Sequence, residues 1–213
     1  MHGSEDLDAI PMLDDADQAE SYLDVYDGPP PPWEIGRPQG AFRRAAEHGL
    51  LTGRVLDVGC GTGEHALLAA SLGLNATGVD IVPTAIAIAK QRRAERGLDA
   101  RFLVGDVLDL PALGETFDTV VDCGLFHVLN DADRRKFVGV LNATVPAGGR
   151  YLMLGFSDRM PGDTGPRRLR REELTDTFAE GWQTRSLEED VIETRSPTPV
   201  PAWLAVFSRT APY

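Results

Sequence analysis

The run Arg54-Val-Leu-Asp-Val-Gly-Cys-Gly-Thr-Gly63 sets the terms for the rest of the chain. Val55, Leu56 and Val58 have the pattern of a short buried strand. Glycines follow at alternate positions, Gly59, Gly61 and Gly63. A glycine has no Cβ, so the backbone can turn tightly and a ligand can press against it. Beyond Gly63 the apolar spacing becomes helical, with Ala66, Leu67, Ala69 and Ala70. A strand, a glycine turn and a helix in that order open a nucleotide-type α/β site.

The spacing narrows the ligand. A dinucleotide fingerprint G-x-G-x-x-G counted from Gly59 needs glycine at position 64, where Glu64 stands. A P-loop needs Gly-Lys-Ser/Thr, which does not follow. Glu64, on the first helical turn, would repel a pyrophosphate, whereas a zwitterion carrying an ammonium tolerates it. Thr62 is expected to cap the helix that starts near Gly63, whose free N–H groups favour a carboxylate. Upstream, the four prolines 29–32 hold an extended approach to Trp33. That segment reads either as a surface linker or as a lid over the glycine loop.

Val55-Leu-Asp-Val-Gly-Cys-Gly-Thr-Gly63 resembles motif I of the class I S-adenosylmethionine (SAM) methyltransferases. Pro32-Trp-Glu-Ile-Gly-Arg-Pro38 resembles the cofactor-covering element of the thiopurine, thiol and halide methyltransferase group, whose tryptophan lines the cofactor site. The resemblance spans about residues 22–210. It implies a single doubly wound, Rossmann-like α/β sheet of seven strands in the order 3-2-1-4-5-7-6, strand 7 antiparallel, with helices on both faces. It also implies SAM as cofactor and S-adenosylhomocysteine (SAH) as product. On this reading Trp33, Asp57, Gly59, Cys60, Gly61 and Gly63 belong to the cofactor site.

The other candidates follow in chain order. Asp80 closes the second strand, with Ile81 beside it, where an acidic residue can accept both ribose hydroxyls; a helix cap before Pro83 fits the same position. Asp106 lies past the C-terminal end of a third strand, where open α/β sheets bind ligands. The resemblance gives Asp106 the adenine amino group and Val107 N–H a ring nitrogen. It runs Cys123 and Gly124 past the methionine part of SAM, and faces Phe126 and His127 into the methyl-transfer chamber. His127 is a candidate base or a ring that shapes the pocket. Asp131 is expected to cap the helix through Val145. The polar loop 157–168 reads as a substrate flap. Tyr22, Tyr26, Phe156, Arg159 and Met160 are the candidate acceptor contacts.

Composition bounds the rest. The chain has 213 residues, 42% of them hydrophobic, enough for one sizeable core. No stretch approaches the ~18 apolar residues of a membrane helix, and no signal peptide is evident. Two cysteines without metal-ligand spacing suggest reduced thiols and a cytoplasmic protein. Net charge is −12, but residues 1–27 hold nine acidic side chains and no Lys or Arg, so the remainder is nearly neutral. Without a basic stripe a nucleic-acid partner is not expected. Residues 1–21 read as an acidic, flexible segment and 22–213 as one domain whose residues 22–40 form the lid. No metal is expected, since Asp122 lies inside a strand and Asp131 and Asp133 read as helix-start residues.

The expected activity is methyl transfer from SAM to O, N or S of a small aromatic or heterocyclic molecule, by a monomer or homodimer. The alternative from another class is a non-catalytic SAM- or nucleotide-binding regulator. An NAD oxidoreductase is disfavoured by the Gly59/Gly61/Gly63 spacing and by Asp106.

Overall fold

The structure is a computed structural model that describes residues 24–162 and 166–211. The acidic segment 1–21 and Tyr22 lie outside those residues. The central strand is β1 (Arg54–Val58), flanked in parallel by β2 (Asn75–Asp80) and β4 (Thr119–Cys123). Outward from β2 lies β3 (Ala100–Val104); outward from β4 lies β5 (Arg150–Phe156). The last two strands, β6 (Trp182–Ile192) and β7 (Val200–Arg209), form a hairpin, and β7 pairs antiparallel to β5. The order β3-β2-β1-β4-β5-β7-β6 is the one expected.

Strand side chains alternate between the two faces, so a sheet covered on both sides needs unbroken apolar strands. In β5, Leu152 and Leu154 enter one core layer while Tyr151 and Met153 enter the other. The first layer is covered by α1 (Gly40–Glu47), α2 (Glu64–Ser71) and α3 (Pro83–Arg96), through Phe42, Leu67 and Ile86. The second is covered by α4 (Asp131–Thr144) and α5 (Arg171–Thr177), through Phe137, Leu141 and Leu174.

Local chemistry moves several boundaries. A 3-10 helix, Val107–Leu113, follows β3; Asp106 starts it by accepting from Leu108 N–H at 2.8 Å, and Gly114 ends it in the left-handed region. Asn130, not Asp131, caps α4, its side chain accepting from Asp133 N–H at 2.9 Å. Thr62 does not cap α2: the N-cap is Gly63, and the Thr62 hydroxyl donates to Glu34 instead. Helix α1 stops at Glu47, ahead of Gly49 at φ +68°.

Candidate active site

The C-terminal ends of β1, β2, β3 and β4 open into one cavity of about 570 Å³. That size is typical of small-molecule sites. The glycine loop forms its floor. Gly59 and Gly61, at φ +61° and +51°, both line the cavity. Cys60 lies between them, its N–H donating to Val79 O at 3.0 Å, and its thiol is pushed up by burial. Asp80 holds this loop: one carboxylate oxygen accepts from Gly61 N–H at 2.7 Å and the other from Val82 N–H at 2.9 Å. Ile81 and Val82 continue the wall, and Asp106 and Val107 stand beside them. Cys123 and Gly124 carry the wall onward to His127 and Phe156.

The segment before α1 closes the cavity from above. Trp33 lines it and donates from Nε1 to the Tyr26 hydroxyl at 3.2 Å. Tyr26 stands over the glycine loop, so a Cβ on Gly61 would come within 2.8 Å of its oxygen. Burial pushes the Tyr26 phenol up, so it stays protonated.

The segment is tied down at both ends. Arg37 pairs with both oxygens of Glu193, at 2.9 and 3.0 Å, and Gly40 N–H donates to the same carboxylate at 2.9 Å. These donors pull the Glu193 carboxyl down to about 2. Gln39 exchanges hydrogen bonds with the Glu193 backbone, 2.8 Å each way. Arg92 donates to Glu34, Thr62 and Glu64 at 3.1, 2.6 and 2.8 Å.

His127 is 5% exposed and packs against Phe156, ring centroids 4.4 Å apart. Its Nδ1 accepts from Phe156 N–H at 2.9 Å. Burial, with the Arg134 charge adding to it, lowers its pKa to about 3. The turn that presents it is braced from both sides. Asp122 accepts from Leu125 N–H at 2.8 Å, Phe126 N–H at 3.1 Å and the Tyr151 hydroxyl at 2.7 Å. Arg134 donates to Phe126 O at 3.0 Å and His127 O at 3.3 Å, and pairs with Glu173 at 2.9 Å.

Comparison with known proteins is consistent with this geometry. A family described as "Methyltransferase domain" matches residues 55–149. The 2-heptyl-1-hydroxyquinolin-4(1H)-one methyltransferase of Mycobacteroides abscessus is 35% identical over 155 residues, 71% of this chain and 68% of that protein. The chain belongs to the class I SAM-dependent methyltransferases. A demethylmenaquinone methyltransferase of Thermus thermophilus is 38% identical over 105 residues, covering 48% of this methyltransferase and 47% of its relative. A solved structure described as "Conversion of a Disulfide Bond into a Thioacetal Group during Echinomycin Biosynthesis" superposes with TM-score 0.81 at 37% identity. It covers 90% of this chain and 93% of the other.

The methyltransferase brings most sequence candidates to one cavity and removes others. Asp57 is 1% exposed and off the cavity wall; it accepts from Ala66 N–H at 3.0 Å and so anchors the start of α2. Gly63 is also off the wall: a Cβ there would meet the Phe102 ring at 2.6 Å, so its bareness serves helix–strand packing. Phe126 points away into the second core layer, against Phe137 and Phe178. Arg159 reaches the Trp203 ring and Glu189, and Met160 packs on the first core layer; neither lines the cavity. Glu64 is answered by Arg92 and Arg96, the latter at 2.7 Å, so its charge does not select an ammonium ligand. His127 as a base would need a bare nitrogen facing the cavity, and its bare nitrogen faces the Phe156 amide.

Sequence reasoning missed Arg92, Gln39 and Glu193 as the supports of the segment around Trp33. Ile192 and Thr194 also reach the cavity from the β6–β7 hairpin unforeseen. Nothing near Trp33 announces partners more than a hundred residues away. Among the described residues, no group of three His, Cys, Asp or Glu could hold a metal ion. No helix among them is long and apolar enough to cross a membrane.

Two expectations follow from this geometry. Trp33→Ala should weaken SAM binding about tenfold, through lost aromatic packing and cation–π attraction. Calorimetric titration reads it, and an unchanged affinity would remove the lid. The second concerns Asp122, whose carboxyl burial pushes up to about 7. A raised carboxyl pKa means the folded state holds the proton over a range where the unfolded chain has released it. Stability from this group is then full below the unfolded carboxylate value and falls as pH rises toward 7. The stability advantage of wild type over Asp122→Asn should therefore narrow between pH ~4 and ~7 in urea titrations. A gap that widens with pH would contradict it.

Proposed function

We propose that this methyltransferase moves the SAM methyl group to an oxygen of a small aromatic heterocycle or phenol. One observation carries the reading. A single cavity lined by Asp80 and Asp106, suited to a nucleoside, is also lined by the apolar side chains of Leu125, Val128, Phe156 and Ile192. Those side chains match a flat apolar ring better than a charged polymer. The M. abscessus relative, named for a hydroxyquinolone, supports an oxygen acceptor. The likeness of residues 32–38 to the thiopurine, thiol and halide group supports Trp33 as part of the cofactor's cover and leaves the acceptor to those apolar side chains.

In this reading the loop Gly59–Gly61 takes the amino-acid end of SAM, Asp80 the ribose, and Asp106 with Val107 the adenine. SAM is already activated, so the protein's work is to hold the nucleophile at near-attack distance on the sulfur–methyl axis and to exclude water. The test is SAH release over hydroxyquinolones, naphthols, phenols, thiols and heterocyclic amines, with and without EDTA. Turnover of thiols or amines alone would overturn the oxygen assignment. SAM binding without turnover of any class would favour a regulator.

A further inference from the structure

The ring of His127 lies beside two glycines. A Cβ on Gly124 would come within 3.4 Å of Nε2, and one on Gly155 within 3.6 Å of Nδ1. The Phe156 N–H donates to Nδ1, and only a bare nitrogen can accept. In the neutral ring the proton must then sit on Nε2. Nε2 finds no hydrogen-bond partner among the described residues, and His127 lines the cavity beside Gly124. Nε2 is not among the buried unpartnered atoms, so its N–H is open to the cavity and can donate to a ligand atom there.

Each carboxylate of the described wall already accepts a hydrogen bond or pairs with a cation, and burial pushes up the Cys60 and Cys123 thiols. Glu34 accepts from Gly36 N–H at 2.8 Å, and Glu64 pairs with Arg96. Asp80 accepts from Gly61 and Val82, Asp106 from Leu108, and Asp133 from Asn130 and Lys136. His65 Nε2 accepts from Gln39 N–H at 3.3 Å, and burial lowers its pKa to about 4.

Resting on the oxygen-acceptor reading, we infer that His127 donates a hydrogen bond from Nε2–H to the acceptor oxygen, and that the enzyme takes acceptors already ionised in solution. That class is N-hydroxy heterocycles and electron-poor phenols; alcohols and amines that need a base are excluded. One lone pair of the anionic oxygen forms the bond to the methyl carbon. The carbon–sulfur bond breaks and its electron pair stays on sulfur. Anion and sulfonium both end neutral, and no proton moves in the step. The Nε2–H binds a lone pair not used in attack and so fixes the axis of approach.

The experiment compares wild type, His127→Leu and His127→Gln with para-nitrophenol and an N-hydroxyquinolone. Glutamine can accept from Phe156 N–H through one amide atom and donate through the other; leucine can do neither. Leucine should lower kcat/KM about 10- to 100-fold, mainly through KM, and glutamine should restore most of it. Nitrophenolate binding to the protein–SAH complex, followed by its visible absorption, should weaken in parallel. The wild-type pH profile should rise through each acceptor's own pKa and move when the acceptor is exchanged. Equal rates in all three proteins would overturn the inference. So would an inflection that stays put across acceptors and vanishes in both variants, which would mark an imidazole base. If wild type methylates thiols or amines and neither hydroxyl acceptor, the oxygen reading fails first and takes this inference with it.

Discussion

Asp80→Ala should weaken SAM and SAH binding by at least about 100-fold, the largest effect on ligand affinity expected from a single substitution here. Two contributions act together. The carboxylate now accepts from Gly61 N–H and Val82 N–H, so it fixes the loop that floors the cavity. In the proposed pose it also accepts the ribose hydroxyls. Hydrogen bonds to a charged group contribute about 1.5–3 kcal/mol each, so losing two toward the ligand spans roughly 100- to 10,000-fold. Burial raises the Asp80 pKa while the two amides oppose that rise. Asp80→Asn should be intermediate, since the amide keeps one acceptor oxygen. Calorimetric titration of SAH reads both variants. An alanine variant that binds as wild type does would detach Asp80 from the nucleoside and return it to a loop brace.

Gly63→Ala should have the largest effect on stability, a loss of about 2–5 kcal/mol. The backbone at Gly63 has φ +85°, where an L side chain costs about 1–2 kcal/mol. The added methyl would also meet Phe102 at 2.6 Å and Ala89 at 2.9 Å, and overpacking a core costs about 1–3 kcal/mol. Gly59→Ala is the contrast. Its φ of +61° carries backbone strain too, but the three atoms nearest its Cβ all belong to the Leu125 side chain, the closest at 3.2 Å, and Gly59 lines the cavity, so ligand affinity should suffer alongside a smaller loss of stability. Urea unfolding and SAH titration on both variants separate the two roles. If Gly63→Ala unfolds as wild type does and merely binds SAH less well, the packing role given to Gly63 is wrong.

These two glycines show what can and cannot be seen along a chain. Three glycines at alternate positions announce a tight turn, because the requirement is local to the backbone. Which of them faces a ligand is not local. Gly63 meets Phe102 of β3, and only the pairing of β2 with β3 brings that ring there. The same distinction separates Asp57 from Asp80. Both are acidic, both end a buried strand and both stand by the loop, yet Asp57 is turned back to the start of α2 while Asp80 lines the cavity. Phe126 and His127 are neighbours, and the turn braced by Asp122 and Arg134 sends one to the core and the other to the cavity.

The placement of Asp80 and Asp106 at strand ends was legible from residue order, because strand periodicity and turn chemistry act over a few residues. The seven-strand order and the path of Cys123 past the cofactor were expectations of the family resemblance. The supports of the segment around Trp33 were not legible. Glu193 reaches Arg37 and Gln39 across the hairpin of β6 and β7, and Arg92 reaches Glu34 from α3. The protonation pattern of His127 was equally hidden, since it depends on one amide of β5 and on burial by two core layers. The sequence alone determined the first strand, the glycine turn and the helix after it, because those rest on local conformational preference and the alternation of apolar side chains, and its resemblance to the family carried the strand order and the cofactor class. Tertiary structure decided which side chains face the ligand and which nitrogen of His127 holds its proton, because both depend on atoms distant in the chain brought within hydrogen-bond reach.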